Sequence, residues 1–404
     1  MTTPPRAVRK RGRRLGAALA LVASASLLTS PASAQAQYER NWRYDQDVHL
    51  SYEFDDNVQE KLQDPTRAQV ARISYRGEFH WAGGDQRLTF SYNGGFKRHF
   101  GVDGGLGGPT TQAAAEQEVA GDLDLSSQFV NEGNVSYLRR VSDDLAVTAR
   151  LGIKDRTWTQ DDFFFINEDA FRRYSASAGV VLNLDVIDPD QPARLEAGVR
   201  YADISFDNLD PHFGNWLYGG HVSLSKRFDE ELEARWSYSW DRIRFPGRGV
   251  YTPQDTDPTN IIRGVGRERQ EDHVHELGTE LEWFGELGVV ADYRFRFNDS
   301  NSFGFTYFSH NVGLQLLRDL PWGMFAQAYG RVELRSFTEP VPSFTGGSLD
   351  IGETENNVLM FRLVKDVSPD YSVEMRYARY RNESITLNDF YSKNIYSVGL
   401  TYHP

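Results

Sequence analysis

Trp42-Arg43-Tyr44-Asp45-Gln46-Asp47-Val48-His49-Leu50-Ser51-Tyr52-Glu53-Phe54 is the stretch that decides the fold. Trp42, Tyr44, Val48, Leu50, Tyr52 and Phe54 fall on even positions, and Arg43, Asp45, Asp47, His49, Ser51 and Glu53 on odd ones. Successive side chains of a strand point to opposite faces, so this is a strand with one apolar side and one charged side. The alternation restarts roughly sixteen times as far as Tyr402 without a long apolar run, which is the pattern of a transmembrane β-barrel.

Composition narrows the alternatives. The 404 residues include 8 Trp, 20 Tyr and 25 Phe, an aromatic load suited to the girdles of a membrane barrel. After the N-terminal region no apolar run is long enough for a membrane-crossing helix. The absence of cysteine removes disulfides, thiolate metal sites and cysteine nucleophiles together. A net charge of -13 argues against nucleic acid as a partner, because binding it by counterion release needs a basic surface.

The N-terminus indicates export. Arg6, Arg9, Lys10, Arg11, Arg13 and Arg14 precede an apolar core from Leu15 to Leu28, and Pro31-Ala32-Ser33-Ala34 supplies the small-x-small site of a signal peptidase. The residues around Arg13-Arg14 fit a twin-arginine signal poorly, so a general secretory signal is expected, cleaved after Ala34. Residues 1–34 are thus read as a signal peptide and 35–404 as one barrel in the outer membrane of a Gram-negative bacterium.

Turn chemistry gives the topology. Short connections are expected at Ala82-Gly83-Gly84-Asp85, Ser142-Asp143-Asp144, Asp188 to Pro192, Asp229-Glu230-Glu231, Gly285-Glu286, Asp319-Leu320-Pro321 and Ser368-Pro369-Asp370. Mostly longer ones alternate with them: Asp55 to Pro65, Gly101 to Glu116, Thr159 to Ala170, Asn208 to Phe213, Pro246 to Gln270, Thr338 to Glu353 and Asn382 to Asn388, with a short exception at Asn298 to Ser302. Tight turns in the periplasm and long loops outside are the habit of these proteins. The fold class is therefore all-β: a single antiparallel up-and-down barrel of about sixteen strands, with the strand from Val119 onward running toward Tyr137.

Parity sorts the two faces, since Arg or Lys on the lipid side costs about 2–4 kcal/mol at mid-bilayer. Leu88, Phe90 and Tyr92, then Leu145 to Ile153, Ala176 to Leu184, Leu232 to Trp240 and Leu277 to Trp283 at every second residue, are expected to face lipid. The lumen candidates are Arg72, Arg76, Arg150, Arg235, Arg294, Arg296, Arg331, Arg335, Arg362, Arg376, Glu233, Glu280 and Glu333, with Asp122 and Asp124 on the same parity. Two readings apply to them. Arg and Glu on neighbouring strands brace the wall, each exposed pair contributing at most about 1 kcal/mol. Alternatively, Arg294, Arg296, Arg331, Arg335, Arg362 and Arg376 converge on one basic wall that steers an anionic solute.

No cofactor, metal or catalytic site is expected. His273 and His275 lie on one side of one strand, with a parity that points outward to the membrane interface, and His80, His99, His221 and His310 are scattered. Asp55 to Asp64 and Asp161-Asp162 lack EF-hand spacing and read as solvated surface charge rather than a calcium site. Pro246 to Gln270 and Thr338 to Glu353, with Gly346-Gly347, are either lids or plain external loops.

Val48-His49-Leu50-Ser51-Tyr52-Glu53-Phe54-Asp55-Asp56-Asn57-Val58 resembles the Tyr-x-x-Asp-x-Asn-Val opening of a broad group of bacterial outer-membrane barrels, among them barrels of exopolysaccharide export systems. Ser397 to Tyr402 resembles the sorting signal read by the barrel assembly machinery, although the chain goes on to His403-Pro404 where that signal ends on an aromatic. The resemblance implies a conduit for polar or anionic solutes such as polysaccharide, with outer-membrane lipid, lipopolysaccharide, the assembly machinery and periplasmic export components as partners. A general diffusion porin and a structural or adhesive barrel with a closed lumen are the other two readings. The connection from Thr159 to Ala170, short and carrying Phe163-Phe164-Phe165-Ile166, is unlike the long acidic third loop of trimeric porins.

Overall fold

A computed structural model describes residues 42–57, 67–103, 127–158, 171–184, 193–206, 214–250, 252, 268–339, 357–382 and 391–404. Residues 1–34, read above as a signal peptide, the Val119 to Ser126 run with Asp122 and Asp124, the Asp161-Asp162 and Phe163 to Ile166 segments and most of the long connections lie outside them.

Sixteen strands follow one another: β1 (Trp42–Asp55), β2 (Arg67–Gly83), β3 (Gln86–Asp103), β4 (Ser127–Arg140), β5 (Leu145–Trp158), β6 (Phe171–Leu184), β7 (Ala193–Phe206) and β8 (Asn215–Arg227). The second half comprises β9 (Leu232–Gly249), β10 (Arg269–Phe284), β11 (Gly288–Ser300), β12 (Tyr307–Leu320), β13 (Met324–Phe337), β14 (Asn357–Ser368), β15 (Tyr371–Asn382) and β16 (Tyr391–Tyr402). Each pairs antiparallel with its chain neighbours, and β1 pairs with β16 to close the barrel. Closure matters physically, because backbone groups in a bilayer have no water to bond and a closed sheet has no edge.

The closing seam is a short ladder, matched in length by that of β13 with β14. Val48 to Asp55 face Tyr402 to Ile395, whereas all of Trp42 to Asp55 is paired with Trp81 to Ala68 on β2. This stagger is the shear that a tilted barrel requires. His403 continues beyond β16, its backbone N–H donating to the Asp370 carbonyl (2.8 Å) and its Nδ1 lying 2.6 Å from Asp47 Oδ1 on β1. The non-aromatic end therefore sits on the seam, and Tyr402, the aromatic before it, stacks on Tyr371 with ring centroids 5.0 Å apart.

The molecule is built inside out. Leu151 (61% exposed), Val199 (64%) and Leu334 (64%) stand on the outer surface, while Glu53 (3%), Asp241 (7%) and Ser397 (8%) are buried on the inner one. An exterior of this kind is a bilayer face, and with closed antiparallel pairing it makes the architecture of bacterial outer-membrane proteins. Aromatic pairs mark the two rims of the apolar band: Trp42–Phe79 and Tyr371–Tyr402 toward the tight turns, Tyr52–Phe100, Phe96–Phe129 and Tyr201–Tyr218 toward the long connections.

Several boundaries differ from expectation: β3 runs to Asp103 and β9 to Gly249, into the connections read from Gly101 and from Pro246. The turn read at Asp319-Leu320-Pro321 comes later: β12 runs to Leu320, and Pro321-Trp322-Gly323 reverses the chain with both Trp322 (φ 65°) and Gly323 (φ 66°) left-handed. The short outer connection read at Asn298 to Ser302 is longer, because β11 continues to Ser300 and β12 begins only at Tyr307. Asn298 belongs to the strand, and its Nδ2 donates to the Phe305 carbonyl at 2.8 Å to shape the connection.

Candidate functional site: the charged inner face

One unbroken register carries the inner face around the barrel. Facing residues of an antiparallel pair share a side of the sheet. Arg72 faces Ser51 and Lys97, Arg76 faces Asp47, Arg150 faces Ser136 and Ser177, Glu233 faces Glu282, and Arg235 faces Glu280. Arg294 and Arg296 face Gly278 and Glu276, Arg331, Glu333 and Arg335 face Gly313, Asn311 and Ser309, and Arg362 faces both Gln327 and Arg376. All thirteen residues singled out above occupy this one face.

Six of those arginines do not make a basic wall. Each has a carboxylate within ion-pair distance: Arg294–Asp292 (3.6 Å), Arg331–Asp292 (3.7 Å), Arg296–Glu276 (3.0 Å), Arg335–Glu333 (2.9 Å), Arg362–Glu374 (2.7 Å) and Arg376–Glu53 (3.1 Å). Cross-strand and same-face neighbours at i±2 are near enough to pair, and β11, β13 and β15 place an acid at such a position. Elsewhere Arg76 donates to Glu78, Arg235 to Glu280, Arg227 to Glu233 and Arg200 to Asp241. Among the thirteen, Arg150 is the exception, with no carboxylate partner among the described residues.

Glu53 is the most enclosed of these acids. Arg72 Nη2 from β2 donates to its Oε2 (3.2 Å) and Arg376 Nη2 from β15 to its Oε1 (3.1 Å), while Arg376 Nε donates to Ser397 Oγ on β16 (3.2 Å). The carboxylate ties together the four strands at the seam. Desolvating it is costly, and two guanidinium groups on one carboxylate offset that cost.

Small side chains line the inner face between these pairs. Ser223, Ser225, Ser237, Ser239 and Gly278, flanked by Arg194, Glu196, Arg200, Glu233, Arg235 and Arg294, line a cavity of about 940 Å³ on β7 to β11. Such a wall presents hydroxyls and alternating charges, which suits a hydrated polar solute.

Near the ends of β9 and β10 a second polar group is buried. The Arg248 guanidinium lies over Phe245 and Phe305 and donates to Gln270 Oε1 (3.4 Å), Gln270 Nε2 donates to Asp272 Oδ1 (3.2 Å), and Ser300 Oγ donates to the same oxygen (2.6 Å). This network stands beyond the aromatic rim. Burial lowers Arg248 to about 10 and raises the Asp272 carboxyl, each opposed by the other's charge.

His273 and His275 behave as interfacial residues. His273 stacks on Trp240 and lies 3.1 Å from Glu271, which Arg242 grips through two 2.7 Å hydrogen bonds, and His275 Nδ1 lies 2.9 Å from the Tyr238 hydroxyl. All of these point outward. Asp56, part of the acidic segment after β1, is occupied by Asn394, whose N and Nδ2 donate to its two oxygens at 2.6 and 2.7 Å. Among the described residues no three His, Asp or Glu side chains gather as a metal site would require.

No family model and no curated protein matches the chain. Among solved structures it is similar to OccAB1 of Acinetobacter baumannii (TM-score 0.46, 12% identity, covering 92% of this chain and 99% of that one). It is also similar to OpdK of Pseudomonas aeruginosa with vanillate (TM-score 0.44, 9% identity, 89% and 98%) and to a bacterial polysaccharide outer-membrane secretin (TM-score 0.40, 7% identity, 89% and 98%).

Proposed function

We propose that the protein is an outer-membrane channel for hydrated polar solutes, with a preference for anions and with acidic saccharides among its cargo. The observation that carries this reading is the cavity of about 940 Å³ on the inner face, walled by serine, glycine, arginine and glutamate rather than by interlocking bulky side chains. At sixteen strands the lumen is wide enough for water unless loops fill it. Hydroxyl-lined walls exchange hydrogen bonds with sugar hydroxyls at little cost, and charged walls tune which ions follow.

Liposome swelling tests the reading. Vesicles carrying the refolded protein should swell in isosmotic arabinose and faster in galacturonate than in an amino sugar of equal size. Vesicles that do not swell in any of them would instead identify a structural barrel with a closed lumen.

A further inference from the structure

A group of inner-face cations with few carboxylate partners among the described residues lies on β5 and β6, on the opposite half of the register from the arginines of β11 to β15. Lys154 and Arg173 face each other across β5 and β6, although like charges directly opposite are destabilising. Lys154 Nζ reaches Glu132 only at 3.8 Å, and Glu132 is the sole carboxylate paired with this group among the described residues. Among the described residues Arg156 makes no ion pair: its guanidinium lies 5.1 Å from the Phe171 ring centroid, and its Nε is buried without a hydrogen-bond partner there. Arg173 and Arg150 are exposed to the lumen.

Polar side chains fill the space between them. Gly152 sits on the inner face between Arg150 and Lys154, and a Cβ there would come within 2.7 Å of both Asn134 Oδ1 and Ser175 Oγ. Neutral hydrogen-bonding groups thus form a floor, with cations at both ends. Two features that cost stability, facing like charges and an unpartnered buried guanidinium nitrogen, are relieved together by an anion seated between them.

We propose that Arg150, Lys154, Arg156 and Arg173 form an oxyanion-binding site in the outer half of the lumen. Phosphate, carboxylate and sulfate share the needed chemistry, two or more oxygens that accept from forked guanidinium donors. The site deepens the channel reading, on which solute access to it rests. In that role it is a station where an anionic solute exchanges water for arginine before moving along the hydroxyl-lined wall.

Equilibrium titration of the detergent-refolded full chain with a fluorescent oligogalacturonate tests the site without requiring conduction. Saturable binding is expected, weakened at least tenfold in Arg156→Gln/Arg173→Gln, largely kept in Arg156→Lys/Arg173→Lys, and unchanged in the outward pair Arg242→Gln/Glu271→Gln. Heat-modifiable migration on gels checks that each variant is folded. Inorganic phosphate as competitor separates the sources: displacement assigns small oxyanions, and its failure assigns the uronate chain. Absent binding, or equal affinity in wild type and the glutamine variant, overturns the site. Binding by a protein that does not conduct would leave the site standing and remove the channel; conduction without binding would do the reverse.

Discussion

At the scale of single residues, whether a charge is useful for transport depends on its nearest same-face neighbours. Arg294 and Arg335 have Asp292 and Glu333 two positions away on their own strands, whereas Arg150 has Thr148 and Gly152 there. The distinction is written in the sequence once parity is known, and it favours the bracing reading over the basic wall wherever acids stand between the arginines. Pairing across β16 between Glu53 and Arg376 is different, because it depends on which strand closes the barrel against β1. Glu53 also gives a sharp stability test. Arg72→Met/Arg376→Met leaves a carboxylate that is 3% exposed without a cation, at a cost of about 3–5 kcal/mol. Glu53→Gln keeps an acceptor for the partly exposed arginines and should cost well under half as much, as read by urea midpoints in detergent. Equal losses would show that the carboxylate is not the desolvated member.

At the scale of elements, strands were legible and their ends less so. Alternation gives the face of every strand because the period of two is unforgiving: a slip by one residue would turn Glu53, Arg72 and Arg376 into lipid. Of the turn read at Ala82-Gly83-Gly84-Asp85, Gly84 and Asp85 make the reversal, with Gly84 at φ 56°, while Ala82 and Gly83 still belong to β2. Turn chemistry misplaced the β12–β13 hairpin because Asp319 and Pro321 are turn formers, yet Leu320 still pairs with Met324 and the reversal uses Trp322 and Gly323. A bulky residue at positive φ is unusual, and Trp322, 81% exposed beside the inner rim, suits an interfacial anchor. Gly323→Ala should therefore lower stability by about 1 kcal/mol in an unfolding titration, since alanine resists the left-handed region. No change would mean that the hairpin reverses without that backbone conformation. Beyond the rim, Asp272→Asn should be tolerated better than Asp272→Ala, because the amide still accepts from Ser300 Oγ while alanine leaves Gln270 and Ser300 without their partner. Protease cleavage between β9 and β10 would report this difference, and equal cleavage rates would contradict it.

At the scale of the whole molecule, sixteen strands and closed pairing follow from a sequence that never presents a long apolar run, and the lumen follows from strand number. The solute does not, since the inner face mixes braced ion pairs with a small, only partly compensated cationic group and their balance sets selectivity. Cations left without acids in a narrow wet space raise the local concentration of anions, an effect that salt weakens. The direct measurement is the reversal potential of single channels in a planar bilayer under a potassium chloride gradient. A steady open conductance with anion preference at low salt, fading as salt is raised, is predicted. A cation-selective pore, or a folded protein that never conducts, would contradict the channel described.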